Sequence, residues 1–280
     1  MIAPEDPLFL DVAGSGRWTP YDENASHALI LDPDVLAAEL ALELLGDPLD
    51  EIEPDDQQAG DVAADCDLGL QLLAGGHEGH LQGLRIFCEH RDPRAIPLLL
   101  PLLQVACPIV RMSAAYALGR NPDPQALEGL LAMLATDSNG YVRKAAAWSL
   151  GNFPDAPVLN PLIRALQVDV AAVRLWAVSS LAEAGATGAT KADPAAAQLL
   201  ETLRIDSEAA VRSNSAWALG RLYPDLVEPR QQSVVESLLH TMLGDGEASV
   251  RDEARLALEQ LEQPEVLERL QTLVDEGLLA

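Results

Sequence analysis

Residues 139–155 read NGYVRKAAAWSLGNFPD, and the phrase returns twice, as PIVRMSAAYALGRNPD over 108–123 and AAVRSNSAWALGRLYPD over 209–225. A fixed word that recurs along one chain is the mark of a structural repeat. Its Val-Arg pair falls at Val110-Arg111, Val142-Arg143, Val173-Arg174, Val211-Arg212 and Val250-Arg251, with spacings of 32, 31, 38 and 39 residues. A sixth, degenerate copy begins near Gly79, with Phe87 at the position of the Leu in Ala-Leu-Gly. Between these words stand Pro93, Pro124, Pro157, Pro194, Pro229 and Pro264, each opening a run whose leucines recur at helical spacing. Proline suits the first turn of a helix because its missing N–H would be unpaired there, and an Asp just before it caps free amides.

Each unit is therefore two helices: one opened by proline (A), then one opened by Val-Arg (B). Six pairs are predicted, over 56–90, 92–120, 123–151, 156–183, 193–221 and 229–261. A lone helix near 264–277 closes one end, and a helix from Asp32 (DPDVLAAELALELLG) closes the other. Gly119, Gly151 and Gly220 are expected to end B helices in the left-handed conformation. Pro97 and Pro101 should kink the A helix of the second pair. AGATGATKADP, 184–194, reads as a flexible insertion that explains one long spacing, and LYPDLVEP, 222–229, lengthens the next connection. Two-helix units cannot bury their apolar faces singly and must stack. The fold predicted is all-α, a right-handed α-α superhelix of about six helix pairs with flanking capping helices, and no strand pattern. Its organisation is an acidic N-terminal arm (1–31), an acidic helical cap (32–75) and the repeat solenoid (76–280).

Charge is uneven. The chain carries a formal −26 over 280 residues, and residues 1–75 alone hold 18 acids against one base, Arg17. Nucleic-acid binding needs clustered Lys and Arg, so that partner is excluded by expectation. No apolar run approaches the ~18 residues of a membrane span, and MIAPEDPLFLDV lacks the basic start of a signal peptide. The expectation is a cytoplasmic protein without membrane insertion. Cys66, Cys88 and Cys107 are odd in number and lack CxxC spacing, which argues against a disulfide framework.

With D…VR..AAxALG at about 31-residue spacing over 79–277, the chain resembles the short HEAT-like repeats of cyanobacterial phycobilin lyases of the E/F type. Within that class HRDPRAIPLLLPLL, SNGYVRKAAAWSLGNFPDAPVLNPLIRAL and VEPRQQ resemble the HEAT-repeat partners of A-type iron–sulfur scaffolds. The first resemblance implies bilin or phycobiliprotein handling, with a bilin as ligand. The second implies a non-catalytic adaptor in iron–sulfur cluster assembly or iron homeostasis, with a protein partner and no cofactor of its own.

Helical geometry sorts the repeated positions. With Val of each B helix at zero and about 100° per residue, positions +4, +7 and +8 join Val in one apolar wall. Arg at +1 borders it, and a turn Asp (Asp137, Asp169, Asp206 or Asp245) stands just upstream of four of the five. An Arg–Asp ladder tying neighbouring turns is expected rather than a basic stripe, since each Arg has a carboxylate within reach. Tyr116, Trp148 and Trp217 stand at +6, about 240° and opposite the wall, Trp176 at +3 lies nearby, and Arg120, Asn152 and Arg221 continue that side at +10. Two roles stand for these rings: stacking between repeats, or lining a groove on the B-helix side. Trp, Tyr and Arg dominate binding hot spots, so Tyr116, Arg120, Trp148, Asn152, Trp176, Trp217 and Arg221 form the candidate concave binding face.

Catalytic chemistry is sparse. Di-iron hydroxylases on such scaffolds carry His-Glu pairs, but the corresponding slots here read Met112-Ser113, Lys144-Ala145, Leu175-Trp176, Ser213-Asn214 and Asp252-Glu253. His77, His80 and His90 share a region with the cysteines without the spacing of a zinc or cluster site, so no metal is assigned. No catalytic residue can be named. If the chain is an enzyme, the resemblance makes it a phycobilin lyase. The arm 14–34 holds Trp18 and Tyr21 among turn residues, and the expectation is that this aromatic pair docks in the furrow.

Overall fold

The computed structural model describes residues 56–277. The arm, its docking and the helix expected from Asp32 lie outside the described residues. Among those described there are thirteen α-helices and no strand. They are α1 (Asp56–Ala74), α2 (His77–Glu89), α3 (Ile96–Leu99), α4 (Pro108–Arg120), α5 (Leu127–Thr136), α6 (Gly140–Leu150) and α7 (Leu159–Val168). The series continues with α8 (Ala171–Gly185), α9 (Ala189–Ile205), α10 (Ala209–Leu222), α11 (Arg230–Gly244), α12 (Ala248–Gln260) and α13 (Pro264–Asp275). Odd members are A helices, even members are B helices, and α13 packs on α12 after the sixth pair. The fold is an all-helical repeat solenoid, as predicted. The boundary drawn at 75/76 falls in the turn between α1 and α2, which pack together as the first pair.

Local chemistry explains the starts. The Asp92 and Asp123 carboxylates accept from the amides of Arg94 (2.9 Å) and Gln125 (2.8 Å), capping 3₁₀ turns opened by Pro93 and Pro124. Asn139 caps α6, its Oδ1 accepting from Tyr141 N at 2.9 Å and Val142 N at 3.4 Å. Pro97 and Pro101 do more than kink: they divide the second A helix into 3₁₀ turns at 93–95 and 100–104 around the four-residue α3.

Three expectations are corrected. Gly119 and Gly220 lie inside helices, and Gly151 has φ −60°. None is left-handed; positive φ among described glycines occurs at Gly76, Gly188 and Gly277. Pro194 does not open its helix: α9 starts five residues earlier, after Gly188 at φ 122°, so all of the supposed insertion but residues 186–188 is helix. Helix α7 begins at Leu159, two residues past Pro157.

The wall is the core. Val142, Val173, Val211 and Val250 are fully buried, as are Leu118, Leu150, Leu181, Leu219 and Leu258 at +8 and the small residues at +4. Fully burying one such Leu stabilises the fold by about 1.5–3 kcal/mol. At +7 the residues are Ala or Ser, so the B helices approach closely. Ser149 Oγ lies 2.7 Å from Ala115 O, and Ser180 Oγ lies 2.8 Å from Ala147 O, each on the preceding B helix. Successive B helices pack closely, whereas successive A helices touch sparsely. The B helices are thus the more closely packed layer, the one expected from the sequence to lie on the inside of the curve.

The ladder exists, with a register the sequence did not reveal. Four of the five Arg reach forward to the Asp of the following turn: Arg111 to Asp137 (2.8 Å), Arg143 to Asp169 (2.6 Å), Arg174 to Asp206 (2.7 Å) and Arg212 to Asp245 (2.8 Å). In all five a terminal nitrogen donates backward to a backbone carbonyl of its own turn; for Arg143, Arg174, Arg212 and Arg251 that is the upstream Asp, at 2.8–2.9 Å. Every Asp carboxylate also accepts an amide of its own turn, closing it. The Arg212 guanidinium holds the Asp245 carboxyl below its ordinary range. A depressed folded-state pKa means stabilisation that is full above the unfolded value of ~3.9 and lost as pH falls below it. Between pH 5 and pH 3 the wild-type melting temperature should therefore fall further than that of Asp245→Asn. Equal falls would remove Asp245 from the acid response.

A candidate binding furrow on the inner helix layer

The side chains that face away from the core on the B helices obey one register. Position +6 of a B helix meets position +3 of the next. The Trp148 and Trp176 rings lie 6.5 Å apart, edge to face at 86°. Two helices share the same relation one step on, where Asn214 Nδ2 donates to Ser179 Oγ at 2.8 Å and to Leu175 O at 3.1 Å. The Tyr116 ring stacks back on Trp148 at 5.4 Å and 60°. Tyr116, Trp148 and Trp176 thus form a continuous row across α4, α6 and α8, all half-buried. Edge-to-face pairs at these distances contribute about 0.5–1.5 kcal/mol beyond area burial. The rings therefore stack between repeats and still keep part of their surface exposed on the B-helix layer.

The other candidates are placed as follows. Trp217 is half-buried but does not join the row, because the intervening +6 position on α8 is Ser179. Arg120, one turn beyond Tyr116, donates from Nε to Cys88 O at 3.2 Å. Arg221 pairs with Glu183 at 3.2 Å, both exposed, and Asn152 is exposed just past α6. The structure brings three of the seven into contact and spreads the others along the same layer.

Sequence reasoning missed two groups. Lys144 and Tyr141 of α6 are only 5 % and 6 % exposed. Lys144 stands at +2, which helical arithmetic placed away from the wall, yet it is buried. Glu253, at +3 of α12, is half-buried, and burial pushes its carboxyl above the ordinary range. The signal for it was an acid in the slot that holds Trp176 two B helices earlier.

Cys66 is buried, and Cys88 donates to Ser113 O at 3.6 Å, with burial pushing its thiol up to about 12. His77 and His80 stand ring to ring at 5.1 Å, and burial lowers the pKa of His80. Among the described residues no three His, Cys, Asp or Glu converge as metal ligands would, and no helix is long and apolar enough to cross a membrane. A depression of about 460 Å³ opens between α7 and α9 at the edge of the outer layer, lined by Leu166, Gln198 and Ile205. The only ionic pair in its wall is Arg174–Asp206, already committed to the ladder.

A family model for HEAT repeats matches residues 81–151 and 127–220, together half of the chain. Among solved structures, an engineered protein is 23% identical with a TM-score of 0.50, covering 80% of this chain and 97% of its own. A chain in the structure of Kap95p with RanGDP is 17% identical with a TM-score of 0.53, covering 86% of this chain and 36% of its own. A designed armadillo repeat protein is 21% identical with a TM-score of 0.47, over 75% and 96% of the two chains. These likenesses speak to fold alone. No curated protein matches the sequence.

Proposed function

Since the chain belongs to the HEAT-repeat family, whose stacked helices present an extended face, we propose that it is a non-catalytic scaffold that grips a protein partner along the inner B-helix layer. The observation that carries this reading is the row Tyr116–Trp148–Trp176. Large half-buried rings held rigid by their neighbours lose little entropy on binding and supply the anchors typical of interfaces. Kap95p, a protein of similar fold, has RanGDP as its partner. The finer placement, an adaptor in iron–sulfur assembly or iron homeostasis, is supported by the sequence stretches that resemble such partners.

The test is a comparison of wild type with Trp148→Ala/Trp176→Ala. Truncating two anchors should weaken partner binding by about 30-fold or more, since each hot-spot residue contributes about 2 kcal/mol. The variant should remain helical by circular dichroism, because neither ring belongs to the sealed wall. Unchanged binding would refute the furrow reading.

A second reading, bilin handling, is supported by the flat aromatic row with Arg120 beside it, which suits a planar tetrapyrrole bearing carboxylates. Mixing the protein with phycocyanobilin separates the two: a red-shifted bound chromophore favours bilin handling, and an unchanged spectrum favours the adaptor.

A further inference from the structure

The +6/+3 register gives each neighbouring pair of B helices one composite position on the inner face. In order along the solenoid these are Arg85/Ser113, Tyr116/Ala145, Trp148/Trp176, Ser179/Asn214 and Trp217/Glu253. Contacts at the third and fourth establish the rule, and close packing of Gly220 on Ala257 shows that α10 and α12 keep the same offset. The fifth position is unlike the rest. The register sets an indole opposite a half-buried carboxylate there, and among the described residues neither side chain makes a hydrogen bond, ion pair or ring contact. The cations nearby are committed elsewhere: Arg221 to Glu183, Arg212 to Asp245, Arg255 to Glu259 and Arg251 to two carbonyls of its own turn. An ionised carboxylate withdrawn from water without a partner is a standing cost to the fold.

We propose that Trp217 and Glu253 form a subsite for one basic side chain, Lys or Arg, of the polypeptide that lies in the furrow. This rests on the scaffold reading above and adds what the furrow selects. The carboxylate supplies the counter-charge and the indole face supplies cation–π attraction. Leu256, one turn on and 48 % exposed, offers apolar surface for the aliphatic stem. Long-range charge agrees: residues 225–277 carry 13 acids against four bases, a field that draws a cationic segment toward this end. The chain's own N-terminal residues fit poorly as occupant, since residues 1–75 offer one base among 18 acids.

The probe is the acetylated, amidated peptide Gly-Ser-Lys-Ser-Gly with its Arg, norleucine and Glu counterparts, titrated into the full chain. The readout is the indole N–H resonance assigned by Trp217→Phe. The Lys and Arg peptides should move that resonance saturably, and the norleucine and Glu peptides should not. Glu253→Gln should weaken the Lys peptide by about five-fold or more, the effect of losing one partly screened ion pair with its cation–π support. Glu268→Gln, at an exposed acid on α13, should leave binding unchanged. Folding does not confound the comparison, because Glu253→Gln removes an unpaired charge and should not lower the melting temperature. Equal binding by wild type and Glu253→Gln, or equal losses in both variants, overturns the subsite. If partner binding falls in Trp148→Ala/Trp176→Ala but not in Glu253→Gln, only the subsite is lost. If it falls in neither, the scaffold reading goes first.

Discussion

Arg143→Ala should destabilise the protein by about 3 kcal/mol, close to what removing one member of an enclosed ion pair costs. The reason is what the deletion leaves behind. The Arg143 and Asp169 side chains are 19 % and 9 % exposed, and the guanidinium meets the carboxylate through two parallel bonds of 2.8 and 2.6 Å. Its third nitrogen donates to Asp137 O at 2.9 Å. Deletion strands a nearly buried carboxylate at the head of α8 and a carbonyl at the head of α6. Both turns loosen, and so does the junction between repeats, where a solenoid's cooperativity resides.

Two companions make the result interpretable. Arg251 occupies the same helical position and keeps the backward bonds, at 2.8 Å to Asp245 O and 3.2 Å to Gly246 O. Among the described residues it has no forward carboxylate. Arg251→Ala should therefore cost about 1 kcal/mol, one net hydrogen-bond contribution, and the difference isolates the forward pair. Arg143→Lys keeps the charge but not the planar fork, so it should recover less than half of the loss. Urea unfolding measures all three. If Arg143→Ala and Arg251→Ala cost the same, the inter-repeat pairs add nothing. If Arg143→Lys matches wild type, a point charge suffices.

The ladder also marks where the sequence stopped being legible. The repeat, its helix pairs and its apolar wall could be read because each rests on a local rule applied several times: Val, small, Leu at fixed offsets, Asp-Pro or Asn at starts. Noise at one copy was corrected by the others. Direction between repeats was another matter. Where an Asp stands just upstream of the Arg it was the natural partner by proximity, yet it offers its carbonyl, and the forward carboxylates come from 26 to 33 residues downstream. Nothing local encodes that choice; the stacking offset of whole units does. The same offset hid the furrow's finer structure. Helical arithmetic put Trp148 and Trp176 on one side, but their contact and the isolation of Glu253 appear only when +6 of one helix is set against +3 of the next.

Gly119→Ala tests that offset from the other direction, and it should cost about 2–3 kcal/mol even though alanine is the better helix former by about 1 kcal/mol. The sequence cast this glycine as a left-handed stop. It lies inside α4 instead, and a β-carbon there would overlap Trp148 Cζ3 and come to 2.8 Å from Ser149 Oγ and 3.0 Å from Ser149 Cα. The last of these is backbone and cannot swing away, so the two inner helices would have to separate. Gly220 stands at the same repeat position facing Ala257, where the nearest approach is 3.3 Å; Gly220→Ala should be close to neutral, the helix gain offsetting mild crowding. Adding Trp148→Leu to Gly119→Ala should return part of the loss by removing the ring, and the serine backbone should keep the rest. Thermal and urea unfolding of the four proteins read this directly. A Gly119→Ala protein as stable as wild type would mean that the helices are further apart than the Trp148 ring requires. The row of rings would then be free to move, and rigidity could no longer be the reason those rings serve as anchors.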